Sequence, residues 1–354
     1  MYVSINPDML VLARESREIN QSDLAKRIGI SQGKLSKAEK GEQKLHFNTF
    51  NTICKIVDYP EDFFYQTPPY SLISHYYYRN RLSVPQGILI KLEALINIYK
   101  KNLDELTEAI DLPEYQLEAE NFDDLLPAEI ANQIRFILRI PRGPIENLIN
   151  TLERCGIVII KTDILHEKID AISTVTDKGL RVIFLYDKIP CYRQRFLLAR
   201  EFGHMLMHFN KIPAPEKDIE NEADGFASEL LMPESDIIDS LSKLSFPKLG
   251  NLKRYWKVSI KAIIYRARAL GVISENVFRD MMIEYSHRGM NKREPVLIPG
   301  EEPYILKEII NLHKNELGYS NEELARVLKI SIRDYEERFG FYDKPKLKIM
   351  KHAR

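Results

Sequence analysis

Between Tyr192 and Pro233 the chain reads YRQRFLLAREFGHMLMH, a polar break, and IENEADGFASELLMP. These two segments constrain the fold more than any other stretch. On a helix through the first, His204 and His208 lie one turn apart on one face, with Arg200 and Glu201 one turn before His204. The second segment is a helix bearing Glu220, Glu222 and Asp224. Such a pair is the framework of a metal-dependent hydrolytic site. There, imidazoles at i and i+4 bind the ion, the Glu after the first imidazole acts on the bound water, and a later helix brings the third ligand. Here Arg200 stands at the place of the first imidazole. A guanidinium has five donors, no lone pair and no accessible neutral form, so it cannot ligate a cation.

Composition sets the outer bounds. A chain of 354 residues with 44% apolar and 29% charged side chains has room for two or three domains, each with its own core. Lys plus Arg equals Asp plus Glu at 51 each, so any nucleic-acid surface has to be local. Cys54, Cys155 and Cys191 have no paired spacing, which fits a reducing compartment and argues against a disulfide frame. The start lacks a basic region followed by an apolar core, and no run approaches the ~20 apolar residues that span a bilayer. The expectation is a cytoplasmic protein with no membrane contact.

Residues 4–62 read as a bundle of short helices. Pro7 to Arg17 has apolar residues near helical spacing. Asn20 precedes a helix that stops at Gly29, and Ser31 caps a third helix, SQGKLSKAEKG, that ends at Gly41. Two short helices joined by a Gly-containing turn form the helix-turn-helix pattern, whose second helix enters the major groove. From Lys26 to Lys44 six basic residues face two acidic ones, Glu39 and Glu42. Gln32, Gly33, Lys34 and Ser36, on the first turns of the third helix, are candidates for base edges, and Gln21, Lys37 and Lys44 for phosphates. The alternative is a helical bundle that binds protein or only caps the fold.

Residues 67–127 form a connection. His75 to Arg79 is an extended aromatic piece whose Tyr76, Tyr77 and Tyr78 either alternate between core and surface or stack on bases. Pro85 opens a helix through Leu106 with Ile88, Leu92, Leu95 and Ile98 on one stripe. From Ala128 the pattern turns mixed. One helix carries Ile130, Ile134 and Ile137, another starts at Gly143-Pro144, and strands lie at Gly156–Lys161, Asp170–Thr174 and Arg181–Tyr186. The helix bearing Arg200 follows. Trp256 reads as core, ahead of the capped helix IKAIIYRARALG. In a final helical module, residues 293–354, SNEELARVLKIS from Ser320 to Ser331 lines up with NQSDLAKRIGIS from Asn20 to Ser31. The next helix bears Asp334, Glu336 and Glu337, which phosphate would repel, so this copy is structural or dimerising rather than a second DNA reader. The fold class is α+β and mostly helical: an all-α helix-turn-helix bundle over residues 1–66, a zincin-like α+β domain over 128–292, and the C-terminal module.

The residues LAKRIGISQGKLSKAEKG, with the helix ending PEDFF, resemble the XRE family of phage-repressor-like helix-turn-helix domains. That resemblance implies binding to a double-stranded DNA operator as a homodimer. RFLLAREFGHMLMH, NEADGFASELLMP and YWKVSIKAIIYRARALG resemble the ImmA/IrrE family of metallopeptidases, in which an intact zinc site cuts a partner repressor. Carried over by position, the resemblance makes His204 a metal ligand, Glu201 the general base and Glu222 the third ligand, with Glu220 and Asp224 as rivals. Arg200 puts the proteolysis in doubt. One alternative is a metal shifted onto His204, His208 and Glu222, but the place of the base is then taken by Met205. Another is that Arg200 replaces the cation by pairing with Glu222 and Glu201, and a third leaves Arg200 pointing to solvent over an empty pocket. The expectation is a DNA-binding regulator with a degenerate peptidase-like domain that senses a repressor, an antitoxin or a small ligand, with no cofactor required and zinc as the one candidate. Its rivals are an active zinc peptidase and a toxin-antitoxin component.

Overall fold

Alternation along three short strands gives the protein two cores on opposite sides of one sheet. The computed structural model describes residues 1–69, 84–115, 117, 122, 125–166, 168–209 and 218–343. A first pair of two-residue strands, β1 (Tyr2–Val3) and β2 (Leu45–His46), ties down the N-terminal bundle. The main sheet comprises β3 (Ile157–Thr162), β4 (Ala171–Val175) and β5 (Arg181–Tyr186) in the order β3-β5-β4. β3 runs parallel to β5 with Ile157 opposite Arg181, and β4 runs antiparallel to β5 with Ser173 opposite Ile183. Successive side chains point to opposite faces. Ile157, Ile159, Ile183 and Leu185 therefore enter one core, and Val158, Ile160, Val182 and Phe184 the other. Covering on both faces is why β3 and β5 read as continuous apolar runs.

The core on the second face is continuous with the N-terminal bundle. That bundle contains α1 (Pro7–Ser16), α2 (Gln21–Arg27), α3 (Gln32–Glu39) and α4 (Phe47–Val57), followed by a 3-10 turn at Glu61–Tyr65. Asn20 accepts the N–H of Asp23 at the start of α2, and Ser31 accepts that of Lys34 at the start of α3, as the capping pattern predicts.

α5 (Gln86–Leu106) is more than a connection. A single stripe is expected from sequence, yet Ala94, Ile96, Tyr99 and Leu103 are buried on its other sides. The reason is that three elements surround it. It packs on α1, its Tyr99 ring lies edge-on to Phe184 of the sheet at 5.5 Å, and the same ring meets Phe339 at 5.7 Å. Tyr76 to Tyr78 fall outside the described residues.

The C-terminal module contains α14 (Ile305–Asn315), α15 (Asn321–Val327) and α16 (Ile332–Arg338). It repeats the N-terminal pattern at a fixed offset. Ser320 and Ser331 cap α15 and α16 as Asn20 and Ser31 cap α2 and α3, and Ile330 N–H bonds Ala325 O as Ile30 N–H bonds Ala25 O. Gly29 takes the left-handed conformation at φ 72°, and Lys329, in its place, takes φ 54° at a steric cost of about 1 kcal/mol. Its second helix is not presented as a reading head. Asp334 and Tyr335 are buried, and α16 seats on the N-terminal bundle.

The other core holds α6 (Pro127–Ile137), α7 (Leu148–Glu153), α8 (Cys191–Met207), α9 (Ile219–Leu231) and the later helices α10 (Glu234–Ile237), α11 (Phe246–Trp256), α12 (Ile260–Ala269) and α13 (Glu275–His287). Trp256 is buried in it. α6 carries Ile130, Ile134 and Ile137 as expected, and Ile137, its last residue, is 45% exposed. One expectation is corrected. The helix expected from Gly143-Pro144 begins at Leu148, where Asn147 accepts the N–H of Asn150; Gly143 is held instead by Asp236.

Candidate functional site

The site forms where α8 and α9 cross. Gly203 permits the approach: a methyl group there would lie 2.7 Å from Phe226 Cδ1, inside contact distance. Phe226 fills the space and stands edge-on to Phe202 at 5.8 Å. α9 is fixed at its far end by Glu229, which pairs with Arg266 of α12 and accepts from Asn132 of α6 at 3.1 Å, while Arg135 donates to Leu230 O at 2.7 Å. These ties aim the first turns of α9 at the C-terminal half of α8.

Arg200 lies among carboxylates. Its guanidinium is 3.9 Å from Glu201 and 3.5 Å from Glu220, and its side chain is 24% exposed. Burial works against its charge, but Glu201, Glu220, Asp224 and Asp170 together raise its pKa. The expected pairing of Arg200 with Glu222 is therefore corrected. Glu220 faces the guanidinium, and Glu222 instead faces His208 Nε2 at 2.9 Å. Helix geometry explains the swap, since residues two apart on α9 project about 200° from each other. Arg200 pointing to solvent over an empty pocket is corrected as well, because carboxylates from both helices flank it.

Glu201 is enclosed at 2% exposure. The Ser173 hydroxyl donates to its Oε2 at 2.7 Å. Burial pushes its carboxyl above the usual range, against the opposing pull of Arg200 and Ser173. Ser173 belongs to β4, an edge strand, and sequence reasoning missed it because nothing in AISTV distinguishes a serine that reaches a helix from one that packs. Asp224 is driven upward by burial and pulled down by Arg200.

His204 Nδ1 lies 3.1 Å from His208 Nδ1. Burial first, then the neighbouring His208 and Arg200 charges, push the His204 pKa down to about 2, so this imidazole is neutral at ordinary pH. The residues do not fit a zinc ion held as in a peptidase. The first ligand position is a guanidinium, its fixed positive charge stands beside the residue that would act as base, and among the described residues no group of three or more His, Cys, Asp or Glu is disposed to hold a metal ion. What the arrangement does is set opposite charges from α8 and α9 against each other.

The second candidate site is the face of α2 and α3. Gln32, Gly33, Lys34, Lys37 and Lys44 are exposed, and Gln21 and Ser36 are half-buried. Gln32 donates to Gln21 across the turn at 3.3 Å, and Gln21 donates to Glu39 at 2.9 Å. Arg14 holds Glu39 through two hydrogen bonds, of 2.7 and 3.1 Å. One of the two acids counted against the basic surface is thus neutralised from inside. Sequence reasoning missed Arg14, whose role depends on a contact 25 residues away.

No helix among the described residues is long and apolar enough to cross a membrane. No curated protein matches the chain. Two family models do match. Residues 13–63 match the Cro/C1-type HTH DNA-binding domain, and residues 152–268, which span the sheet, α8, α9 and α12, match the IrrE N-terminal-like domain, a peptidase family. The chain is a fusion of a Cro/C1-type helix-turn-helix DNA-binding domain with an IrrE N-terminal-like domain.

Proposed function

We propose that this protein is a transcriptional regulator that binds a DNA operator as a homodimer, and that its IrrE-like domain has given up metal-dependent proteolysis for a sensing or partner-binding role. One observation carries this reading: the Arg200 guanidinium, between Glu201 on its own helix and Glu220 on the next, supplies the positive charge at the crossing of α8 and α9. A permanent cation on the chain needs no metal supply, and it cannot polarise a water as zinc does. Gln32, Lys34 and Ser36 are the base-reading candidates, with Gln21, Lys37 and Lys44 on phosphates. The domain's partner is a repressor or antitoxin protein or a small ligand.

Zinc content, measured by elemental analysis on the tag-free protein and on Arg200→His, tests the regulatory domain. The expected result is no zinc in the parent and about one equivalent in the variant. Zinc in the parent would overturn the reading, by showing a site built from His204, His208 and an acid such as Glu222. Operator binding is tested by selecting DNA from a random pool. Enrichment that is lost in Gln32→Ala and Lys34→Ala supports the regulator, and a pool with no enrichment refutes it.

A further inference from the structure

The turn between α11 and α12 has the form of the helix-turn-helix turns in the two terminal modules. Lys257 takes the left-handed conformation at φ 56°, as Gly29 does at 72° and Lys329 at 54°. An apolar residue follows in each, Val258, Ile30 or Ile330, and then a serine, Ser259, Ser31 or Ser331, whose side chain accepts the N–H three residues on. Around this third turn the chain is basic. From Ser240 to Ser274 it carries eight basic residues and no acidic one, although its total charge is balanced. Lys253 and Arg266 are buried and held by Glu294 and Glu229, so they belong to the core. The other six are exposed or half-buried. On α12, Lys261, Tyr265 and Arg268 are exposed and fall on one stripe, with the Lys261 ammonium 5.8 Å from the Tyr265 ring. Lys261 and Arg254 of α11 form no ion pair among the described residues. Lys257 and Arg268 meet Glu146 and Glu275 at the surface, in pairs that water and salt screen and a polyanion can displace.

We propose that this face of α11 and α12 is a second DNA contact, one that grips the phosphate backbone without reading bases. Two observations set the manner of contact. Ile260, at the place Gln32 holds in α3, is buried, so the residue that would lead into a groove is in the core instead. The N–H groups of Ile260 and Lys261 already donate to buried Glu294, at 2.8 and 3.2 Å. Only side chains are left to meet a polyanion. Lys261 and Arg268 stand about 10 Å apart along the helix axis, the rise of about three base pairs. Duplex DNA is the occupant, rather than an acidic protein, because the same chain carries a Cro/C1-type DNA-binding domain that brings this polyanion to it. Such a contact needs no specific operator and no sensing role for the IrrE-like domain.

The test is fluorescence anisotropy of the full chain on a labelled duplex of random sequence, over a series of salt concentrations. Each phosphate neutralised by a side chain releases counterions, so each contact adds about one unit to the slope of log affinity against log salt. Arg254→Ala and Lys261→Ala together should weaken binding about tenfold and lower that slope by about two, leaving any sequence preference of the parent unchanged. Both side chains are exposed, so the variant keeps the fold. Lys307→Ala removes an exposed charge from α14 and should leave binding unchanged. Affinity and slope unchanged in the double variant would overturn the proposal, and so would an equal loss in Lys307→Ala, which would show net charge at work. Polyglutamate at the same charge concentration should displace the duplex about tenfold less well; equal displacement would mark an acidic protein as the partner and overturn it too. Gln32→Ala with Lys34→Ala separates the two surfaces. Sequence preference should vanish, and the salt-dependent binding that remains should still weaken on adding Arg254→Ala and Lys261→Ala. If no sequence is ever enriched, operator reading fails and the salt-slope result stands.

Discussion

Arg17 closes on Asp334 with two hydrogen bonds, of 2.8 and 2.6 Å, across 317 positions of sequence. The guanidinium also donates to Val57 O at 2.7 Å and lies over the Tyr59 ring at 4.4 Å. Asp334 is 2% exposed, so its charge depends on this partner and on Arg338. Arg17→Ala is expected to destabilise the chain by about 2–3 kcal/mol, measured by urea unfolding. Arg17→Lys should recover only part of this, because an ammonium cannot bond both carboxylate oxygens in the plane. A loss below ~0.5 kcal/mol in Arg17→Ala would mean that α16 is held by its apolar contacts alone.

At the α8–α9 crossing, Arg200→Ala should cost about 1–2 kcal/mol, since it leaves buried Glu201 with Ser173 and no cation. The Glu201 carboxyl, already raised by burial, would then rise further, and protonation limits the loss. Adding Glu201→Gln to Arg200→Ala should restore most of the stability. A double variant no more stable than the single one would show that Arg200 acts through Glu220 instead.

Gly203→Ala is expected to destabilise by about 1–3 kcal/mol, because the new methyl meets Phe226 rather than open space. Phe226→Leu in the same chain should relieve part of that loss by vacating the contact. Additive losses in a double-mutant cycle would contradict this account of why the two helices come so close.

Glu153 gives a pH dependence with a definite sign. It is buried and meets no countercharge among the described residues, and burial raises its pKa to about 7 even though the Tyr304 and Ile305 N–H groups donate to it. The folded state therefore holds this proton more tightly than the unfolded chain. Its contribution is fully present below the unfolded value near 4.5 and is lost as pH rises through 7. Stability should fall by about 3 kcal/mol across that window. In Glu153→Gln the slope between those pH values should flatten, as read from urea midpoints at a series of pH values.

Much of the architecture is legible in the chain. The caps at Asn20, Ser31, Ser320 and Ser331 and the apolar runs of β3 and β5 are local signals, set by backbone hydrogen bonding and side-chain period. The same holds for Arg200, because ligand chemistry excludes a guanidinium wherever the helix is placed. Its partner is not legible. Glu220, Glu222 and Asp224 all lie within one turn of α9, and only the rotation of that helix decides which faces Arg200.

By itself, then, the sequence determined the helices and strands, the repeat between the two terminal modules, and the loss of the first metal-ligand position, since each depends on residue type and spacing along the chain. Tertiary structure alone decided that Glu220 meets Arg200 while Glu222 meets His208, that Ser173 holds Glu201, and that Arg17 clasps Asp334. Those pairings depend on the rotation and separation of packed elements. Both are set by close contacts such as Gly203 against Phe226, whose partners lie far apart in the chain and carry no local pattern.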